Sequence, residues 1–262
     1  MAMLFHFSQD LGTLGEHLNL LMGFKMAESS LSQRRQALPS EVFNELMLRT
    51  LKPVGLESKH PEAFYKGFRL VGIDGLTFSL PNNADIQAKV KKGNNQKTES
   101  AFGKFNGALL VELIMHNPIA ACLGLENESE WALGKKVVSQ LPPGCLLLAD
   151  RLYGCAAFIL LALPTFRLMG GEYVLRIKSS IKARRVIQTL SDGSQIIQVE
   201  ASEPEETSGK LGRVTVREIR ATVHRPGQKP EPLRFWTSLM DEKAHPAMTL
   251  VELYMRRWEQ EL

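Results

Sequence analysis

The chain has 262 residues, 44% of them hydrophobic and 23% charged, with a formal net charge of +4, which is typical of a globular protein and excludes a disordered or collagen-like chain. No apolar run reaches the roughly eighteen residues of a membrane-spanning helix, no signal-peptide pattern is present, and three cysteines without a Cys-x2-Cys pair do not indicate zinc or disulfides. We therefore expect a cytoplasmic protein with no membrane partner, and the mild positive charge permits a nucleic-acid partner without indicating one.

Residues 1–66 have the pattern of a helical region. Ser40 precedes a stretch in which Phe43, Leu46 and Met47 recur at helical spacing, so the sequence predicts a helix capped by Ser40. No clear helix-turn-helix pattern is found, so DNA recognition cannot be placed in this region. Strand-like segments begin near Phe68, and we therefore place a domain boundary between residues 66 and 67.

The first strand-like segment, residues 68–81, is punctuated by Gly75 and Pro81. This pattern predicts a strand, a sharp turn at Asp74-Gly75, and a second strand. Asp-Gly is a favoured hairpin dipeptide, so a purely structural role for Asp74 in the turn stays open.

A second aspartate follows the short apolar stretch 145–149. The sequence predicts a buried strand that delivers Asp150 to its C-terminal end, the end where sites gather in open α/β sheets. Arg151 comes next, so an ion pair between these neighbours is the alternative. The pattern then predicts a helix and a further strand over residues 172–178.

Residues 179–240 resemble a β-rich insertion. Residues 191–194 carry a hairpin signal between two alternating segments. Five cations lie within ten residues: Arg176, Lys178, Lys182, Arg184 and Arg185. They indicate either a nucleic-acid contact or an exposed, charged edge strand.

The last seventeen residues, 246–262, predict an amphipathic helix. Tyr254, Arg257 and Glu261 occupy positions i, i+3 and i+7, which lie on nearly the same face of a helix. An arginine one turn before a glutamate can orient that carboxylate by a charge-assisted hydrogen bond. A surface helix with an ordinary Arg–Glu pair is the alternative.

Three motifs together resemble the DDE transposases of bacterial insertion sequences, and among them the fourth named group. Their order and their elements match that family over about residues 68–262. The motifs are Ile73-Asp74-Gly75-x-Thr77, Ala149-Asp150-Arg151-x-Tyr153-Gly154 and Tyr254-x2-Arg257-x3-Glu261. The resemblance implies an α/β fold: a ribonuclease-H-like catalytic domain over residues 67–262, with a mixed five-stranded sheet, flanking helices and the β-rich insertion at about 179–240, preceded by the N-terminal helical region.

The resemblance implies metal-dependent DNA cleavage and strand transfer in cut-and-paste transposition. Asp74, Asp150 and Glu261 would be the catalytic residues and the ligands of two Mg²⁺ ions, for which Mn²⁺ can substitute. Asp74 would bridge both ions, and the other two residues would hold one each. Hard carboxylate oxygens suit Mg²⁺, and paired ions stabilise the attacking and leaving oxygens of a phosphoryl displacement.

The resemblance also implies double-stranded DNA as the partner, at the element ends and at the target, with a homodimer in the active complex and a place at the bacterial nucleoid. The DNA-binding residues would be Tyr254, Arg257, Arg151, Lys182, Arg184 and Arg185. In this family a tryptophan of the insertion can stack on a flipped base. Trp236 is the candidate, although its alternating strand pattern favours a place in the core.

The sequence departs from the family pattern at its end. The family has a lysine seven positions after the glutamate, and here the sequence ends one residue after Glu261. We therefore expect a C-terminally truncated and weakly active enzyme, because a frayed helix end fixes a catalytic glutamate poorly. Two alternatives are a truncated derivative that binds DNA and inhibits without catalysis, and a ribonuclease-H-like nuclease.

Overall fold

The computed structural model describes residues 37–80, 84–88, 94–95, 98–99, 103–125, 128–202, 211–223 and 230–258, with a few single residues before 37. The chain divides into two compact units, Met1–Arg49 and Thr50–Leu262. Helix α1 (Ser40–Thr50) begins at the serine predicted to cap it. Most of the predicted helical region before residue 37, and Glu261, lie outside the described residues.

The second unit is built on one large sheet. Among the described residues it has ten strands: β1 (Phe64–Tyr65), β2 (Phe68–Ser79), β5 (Lys104–Glu112), β6 (Asn117–Leu125), β7 (Cys145–Ala149), β8 (Glu172–Arg176), β9 (Arg185–Thr189), β10 (Gln195–Ser202), β11 (Leu211–Val223) and β12 (Glu231–Thr237). Nine of them lie in the order β6-β5-β2-β7-β8-β12-β11-β10-β9, and the tenth, β1, pairs with β2. Two short strands, β3 (Asn94–Asn95) and β4 (Thr98–Glu99), pair with each other.

One half of the sheet is the mixed core that the sequence predicts. β7 lies between β2 and β8 and is parallel to both, whereas β2, β5 and β6 pair antiparallel. Every residue of β7 is buried, as its continuous apolar run requires when both faces of a sheet are covered. The predicted α/β, ribonuclease-H-like class is therefore confirmed. The insertion strands β9 to β12 pair antiparallel and extend this same sheet through β8.

Helices cover both faces of the sheet. Their bounds are α2 (Ala84–Gln87), α3 (Glu130–Val137), α4 (Ala156–Met169) and α5 (Ala247–Trp258). Residues of α3 and α4 share a buried cluster with Val71, Ile73, Leu147 and Ala149. Residues of α5 share the other cluster with a different set of strand residues, Leu70, Leu146 and Leu148. No described helix has the length and apolar character needed to cross a membrane.

The predicted turn at Asp74-Gly75 is wrong. β2 is one continuous strand through both residues, because β5 pairs with it residue by residue from Val71 to Ser79. A glycine is needed at position 75 for a reason other than a turn. A Cβ on Gly75 would lie 2.1 Å from Cδ of Glu130, so the absent side chain makes room for a carboxyl group.

Trp236, the tryptophan of the insertion, lies in the core of the protein. Its side chain is fully buried, and its Nε1 donates a hydrogen bond of 3.0 Å to Oε2 of Glu218. The same carboxylate accepts hydrogen bonds from Arg234 and Arg220. The structure therefore places Trp236 in the core, as its alternating strand pattern predicts, and not on the surface where it could stack on a base.

Candidate active site

Two parallel strands bring Asp74 and Asp150 to the same place. The last paired positions of β2 and β7 are Ile73 and Ala149, and each aspartate is the next residue along its strand. Neighbouring strands lie about 4.8 Å apart, so the two aspartates lie side by side at the same level. Residues that are far apart in sequence are therefore brought together by the register of the sheet.

Both aspartates point to the face of the sheet that α5 covers. Side chains alternate between faces along a strand. Leu70 on β2 and Leu148 on β7 belong to the cluster on the α5 side, and Asp74 and Asp150 have the same parity as these leucines. This is the face from which the third predicted motif approaches, since that motif begins on α5.

The backbone turns sharply after Asp150. Its carbonyl oxygen accepts hydrogen bonds from the N–H groups of Tyr153 and Gly154, which end the strand and lead into α4. Oδ1 of Asp150 is buried and accepts no hydrogen bond among the described residues. Its nearest cationic atoms are Nη1 of Arg176 and Nε of Arg151, both at 4.0 Å. This oxygen therefore lacks the direct partner that buried polar atoms usually have.

Asp74 is more open to solvent than Asp150. Its side chain is 62% exposed, and its Oδ1 lies 4.0 Å from Nη2 of Arg257 on α5. The same oxygen accepts a hydrogen bond from the N–H of Gly75. Arg257 is 5% exposed, so a buried guanidinium stands beside an accessible carboxylate.

Glu130 and Tyr153 complete the surroundings; the sequence analysis missed Glu130 and included Tyr153 in the second motif without giving it a role. Glu130 is the first residue of α3, and its Oε1 accepts a hydrogen bond of 3.1 Å from the hydroxyl of buried Tyr153. Burial raises the pKa of the Glu130 carboxyl; the Tyr153 hydrogen bond opposes this, and the charges of Asp74 and Asp150 raise it further. Burial also raises the pKa of Tyr153. Ser129 followed by Glu130 is a typical capped N-terminus of a helix. Nothing in the sequence shows that this N-terminus lies near the two aspartates.

A family model described as a transposase DDE domain matches residues 66–262. This chain belongs to the DDE transposases. No curated protein matches it. The match spans all three motifs of the predicted catalytic domain, while the particular insertion-sequence group stays a prediction.

Membership of this family implies that the transposase acts on DNA and uses divalent metal ions. Among the described residues, no three acidic, histidine or cysteine side chains stand close enough to form a ready metal site, and Glu261 is not among them. The donor set nevertheless suits a hard cation, because Asp74 and Asp150 offer carboxylate oxygens. The Oδ1 of Asp150 is buried and accepts no hydrogen bond from the described residues, so a cation could bind it without displacing a partner.

The predicted DNA contacts of the transposase lie in several places. Tyr254 is fully buried, with its ring centroid 4.8 Å from that of Phe235. Arg257 is the buried neighbour of Asp74, and Arg151 is exposed beside Asp150. Direct contact of these three residues with DNA stays a prediction.

The three predicted contacts in the insertion differ from one another. Lys182 lines a groove of about 540 Å³ together with Arg220 and Arg234. Arg184 pairs with Glu200. Arg185 begins β9, a strand at the edge of the sheet in which every residue is exposed. Of these three, Lys182 and Arg185 therefore offer the more accessible cations, and their contact with DNA stays a prediction.

Proposed function

We propose that this transposase catalyses metal-dependent DNA cleavage and strand transfer in the cut-and-paste movement of an insertion sequence. The observation that carries this proposal is the adjacency of Asp74 and Asp150, each of which is the first residue after the parallel pairing of β2 with β7 ends. The helix that leads toward Glu261 covers the same face. The substrate would be double-stranded DNA at the element ends and at the target, and a homodimer would engage the two ends together.

Asp74, Asp150 and Glu261 would be the ligands of two Mg²⁺ ions. When bound, two such ions stabilise the attacking and leaving oxygens of an in-line displacement at phosphorus. The protein's part is to hold hard oxygen ligands and to exclude competing partners from them. Arg257, buried beside Asp74, would orient that carboxylate, because opposite charges attract.

The insertion would supply further DNA contacts. Lys182 lies with Arg220 and Arg234 along one groove, and Arg185 is exposed on the edge strand. Cations of this kind bind phosphates without reading sequence, so their contribution falls as salt rises. They would position the DNA, and the carboxylates would carry the chemistry. A DNA substrate would place this work at the bacterial nucleoid.

The proposal is tested with purified protein and a plasmid that carries the DNA flanking this coding sequence on both sides. Cleaved ends and joined products are resolved on gels in Mg²⁺, in Mn²⁺ and in chelator. We expect both products in either metal and neither in chelator. Asp74→Asn and Asp150→Asn should abolish them, whereas Glu252→Gln, an exposed carboxylate on α5, should leave them unchanged.

The outcomes separate the possible activities. Metal-dependent cleavage without joined products would overturn strand transfer and favour a nuclease on the same fold. DNA binding that persists in Asp74→Asn, with no products from the unsubstituted chain, would overturn catalysis and favour a binding derivative.

A further inference from the structure

A third carboxylate, Glu130, lies beside Gly75, the residue that follows Asp74 on β2. An ideal Cβ on Gly75 would lie 2.1 to 2.6 Å from the three carboxyl atoms of Glu130. The glutamate therefore occupies the side-chain position of the residue directly after Asp74. It comes from α3, on the face of the sheet opposite α5, because Val71 and Ile73 share the parity of Gly75 and pack in the α3 cluster.

Glu130 is held in this position by its own element. Ser129 caps α3 by accepting a hydrogen bond from the N–H of Ala132, which fixes where the helix begins. Tyr153, 1% exposed, donates to Oε1 of Glu130. A Cβ on Gly134 would lie 2.4 Å from Cε1 of Tyr153, so the tyrosine is packed onto α3 at a position where a larger residue would not fit.

Two other carboxylates act on Glu130. The charges of Asp74 and Asp150 raise the pKa of its carboxyl, and the charge of Arg257 opposes them. Its described hydrogen bond engages Oε1 alone. Neighbouring carboxylates repel one another when they are ionised. A bound cation would relieve that repulsion.

We propose that Glu130 is a positioning residue of the cation site, which strengthens divalent-cation binding at Asp74 and Asp150. It would act through the water molecules that a magnesium ion keeps, as the partners that surround metal ligands commonly do. The proposal rests on the metal-dependent function proposed above. It also explains two features of the sequence together: the glycine after Asp74 makes room for Glu130, and the tyrosine of the second motif holds it.

The test measures Mn²⁺ binding by electron paramagnetic resonance, which needs no DNA and no turnover. In Glu130→Gln the new amide oxygen still accepts the Tyr153 hydrogen bond, so shape is kept and the charge is lost. We expect the dissociation constant for Mn²⁺ to rise about tenfold, as for other partners that surround metal ligands. The Mn²⁺ concentration needed for half-maximal DNA cleavage should rise in parallel, and cleavage should recover at saturating Mn²⁺.

Two other variants serve as controls for the Mn²⁺ binding measurement. Glu128→Gln makes the same chemical change two residues earlier, at a glutamate paired with Lys136, and should leave Mn²⁺ binding unchanged. Asp74→Asn should remove it. Thermal unfolding of each variant in metal-free buffer checks that it is folded.

Two results would overturn the inference in different ways. If Glu130→Gln binds Mn²⁺ as tightly as the unsubstituted chain while Asp74→Asn does not bind it, the role of Glu130 fails and the proposed function stands. If the unsubstituted chain binds Mn²⁺ no better than Asp74→Asn, the cation site itself fails, and the role of Glu130 fails with it.

Discussion

The guanidinium of Arg257 stands 4.0 Å from the carboxylate of Asp74, and so connects α5, the last described helix, with β2. The two side chains differ in their surroundings, since 6% of the arginine side chain is exposed against 62% of the aspartate side chain. A buried cation is costly unless it has partners. Arg257 is therefore placed to fix the open carboxylate rather than to serve as a mobile surface charge.

Substitution of Arg257 should lower DNA cleavage more than it lowers stability. We expect Arg257→Ala to slow single-turnover cleavage about a hundredfold, because loosening a catalytic group by about 1 Å costs on that order. Arg257→Lys keeps the charge but loses the planar fork, so its loss should be smaller. Arg256→Ala, at the exposed neighbour on the same helix, is the matched control. Equal effects at positions 256 and 257 would contradict the role given to Arg257.

Gly154 should tolerate alanine less well than Gly75. A Cβ on Gly154 would lie 1.8 Å from the carbonyl oxygen of Arg176, a backbone atom, whereas the neighbour of Gly75 is the end of the Glu130 side chain. The first clash requires backbone shifts, which typically cost about 1–3 kcal/mol. The second can be relieved by rotation of the glutamate. Denaturant unfolding of the two variants should show the larger loss for Gly154→Ala, and the reverse order would contradict this packing.

Trp236→Phe should destabilise the protein without changing base recognition. The change removes the hydrogen bond from Nε1 to the buried Glu218 carboxylate. A lost bond to a charged group costs about 1.5–3 kcal/mol. The measurement is the free energy of unfolding in denaturant, paired with DNA binding by the variant. A variant of normal stability with impaired binding would contradict the core role and favour base stacking.

The sequence predicts the parts of the site that depend on local pattern. Asp150 follows an apolar run of strand length, and this run is β7 as expected. The spacing of Tyr254 and Arg257 predicts a helix, and both residues lie on α5. Adjacency in space is different, because it depends on which strands pair. The motif resemblance, rather than any local pattern, led to the expectation that Asp74 and Asp150 meet.

Two features could not be predicted because their causes are tertiary. Asp-Gly favours a hairpin locally, but pairing with β5 keeps β2 extended through Gly75. Glu130 is one of many glutamates at helix starts, where negative charge is favourable. Its position near the two aspartates depends on how α3 packs onto the sheet, and this packing cannot be predicted from residue spacing in the sequence. The insertion shows the same limit, since its strands were expected but not their continuation of the core sheet through β8.

The stability of the catalytic unit should fall as pH is lowered through the range in which histidine titrates. Burial lowers the pKa of His245, and the nearby charge of Lys66 lowers it further. Its Nδ1 lies 3.1 Å from the hydroxyl of Tyr65. A histidine whose folded pKa is lowered binds fewer protons in the folded state than in the unfolded state. Its contribution is therefore present above the unfolded value of about 6.5 and is lost as pH falls through the lower folded value.

This pH effect can be assigned to His245 by substitution. The free energy of unfolding is measured in denaturant at intervals from pH 8 to pH 5. We expect the unsubstituted chain to lose stability below about pH 6.5 and His245→Gln, which cannot be protonated, to lose less over the same interval. Tyr65→Phe removes the hydrogen bond but leaves the histidine, so the pH dependence should persist in that variant. An unchanged slope in His245→Gln would show that other groups cause the loss. The location matters because His245 lies just before α5, the helix that carries Arg257, and its carbonyl oxygen accepts a hydrogen bond of 2.7 Å from buried Arg217. A protonated His245 ring would be repelled by the charge of that same arginine.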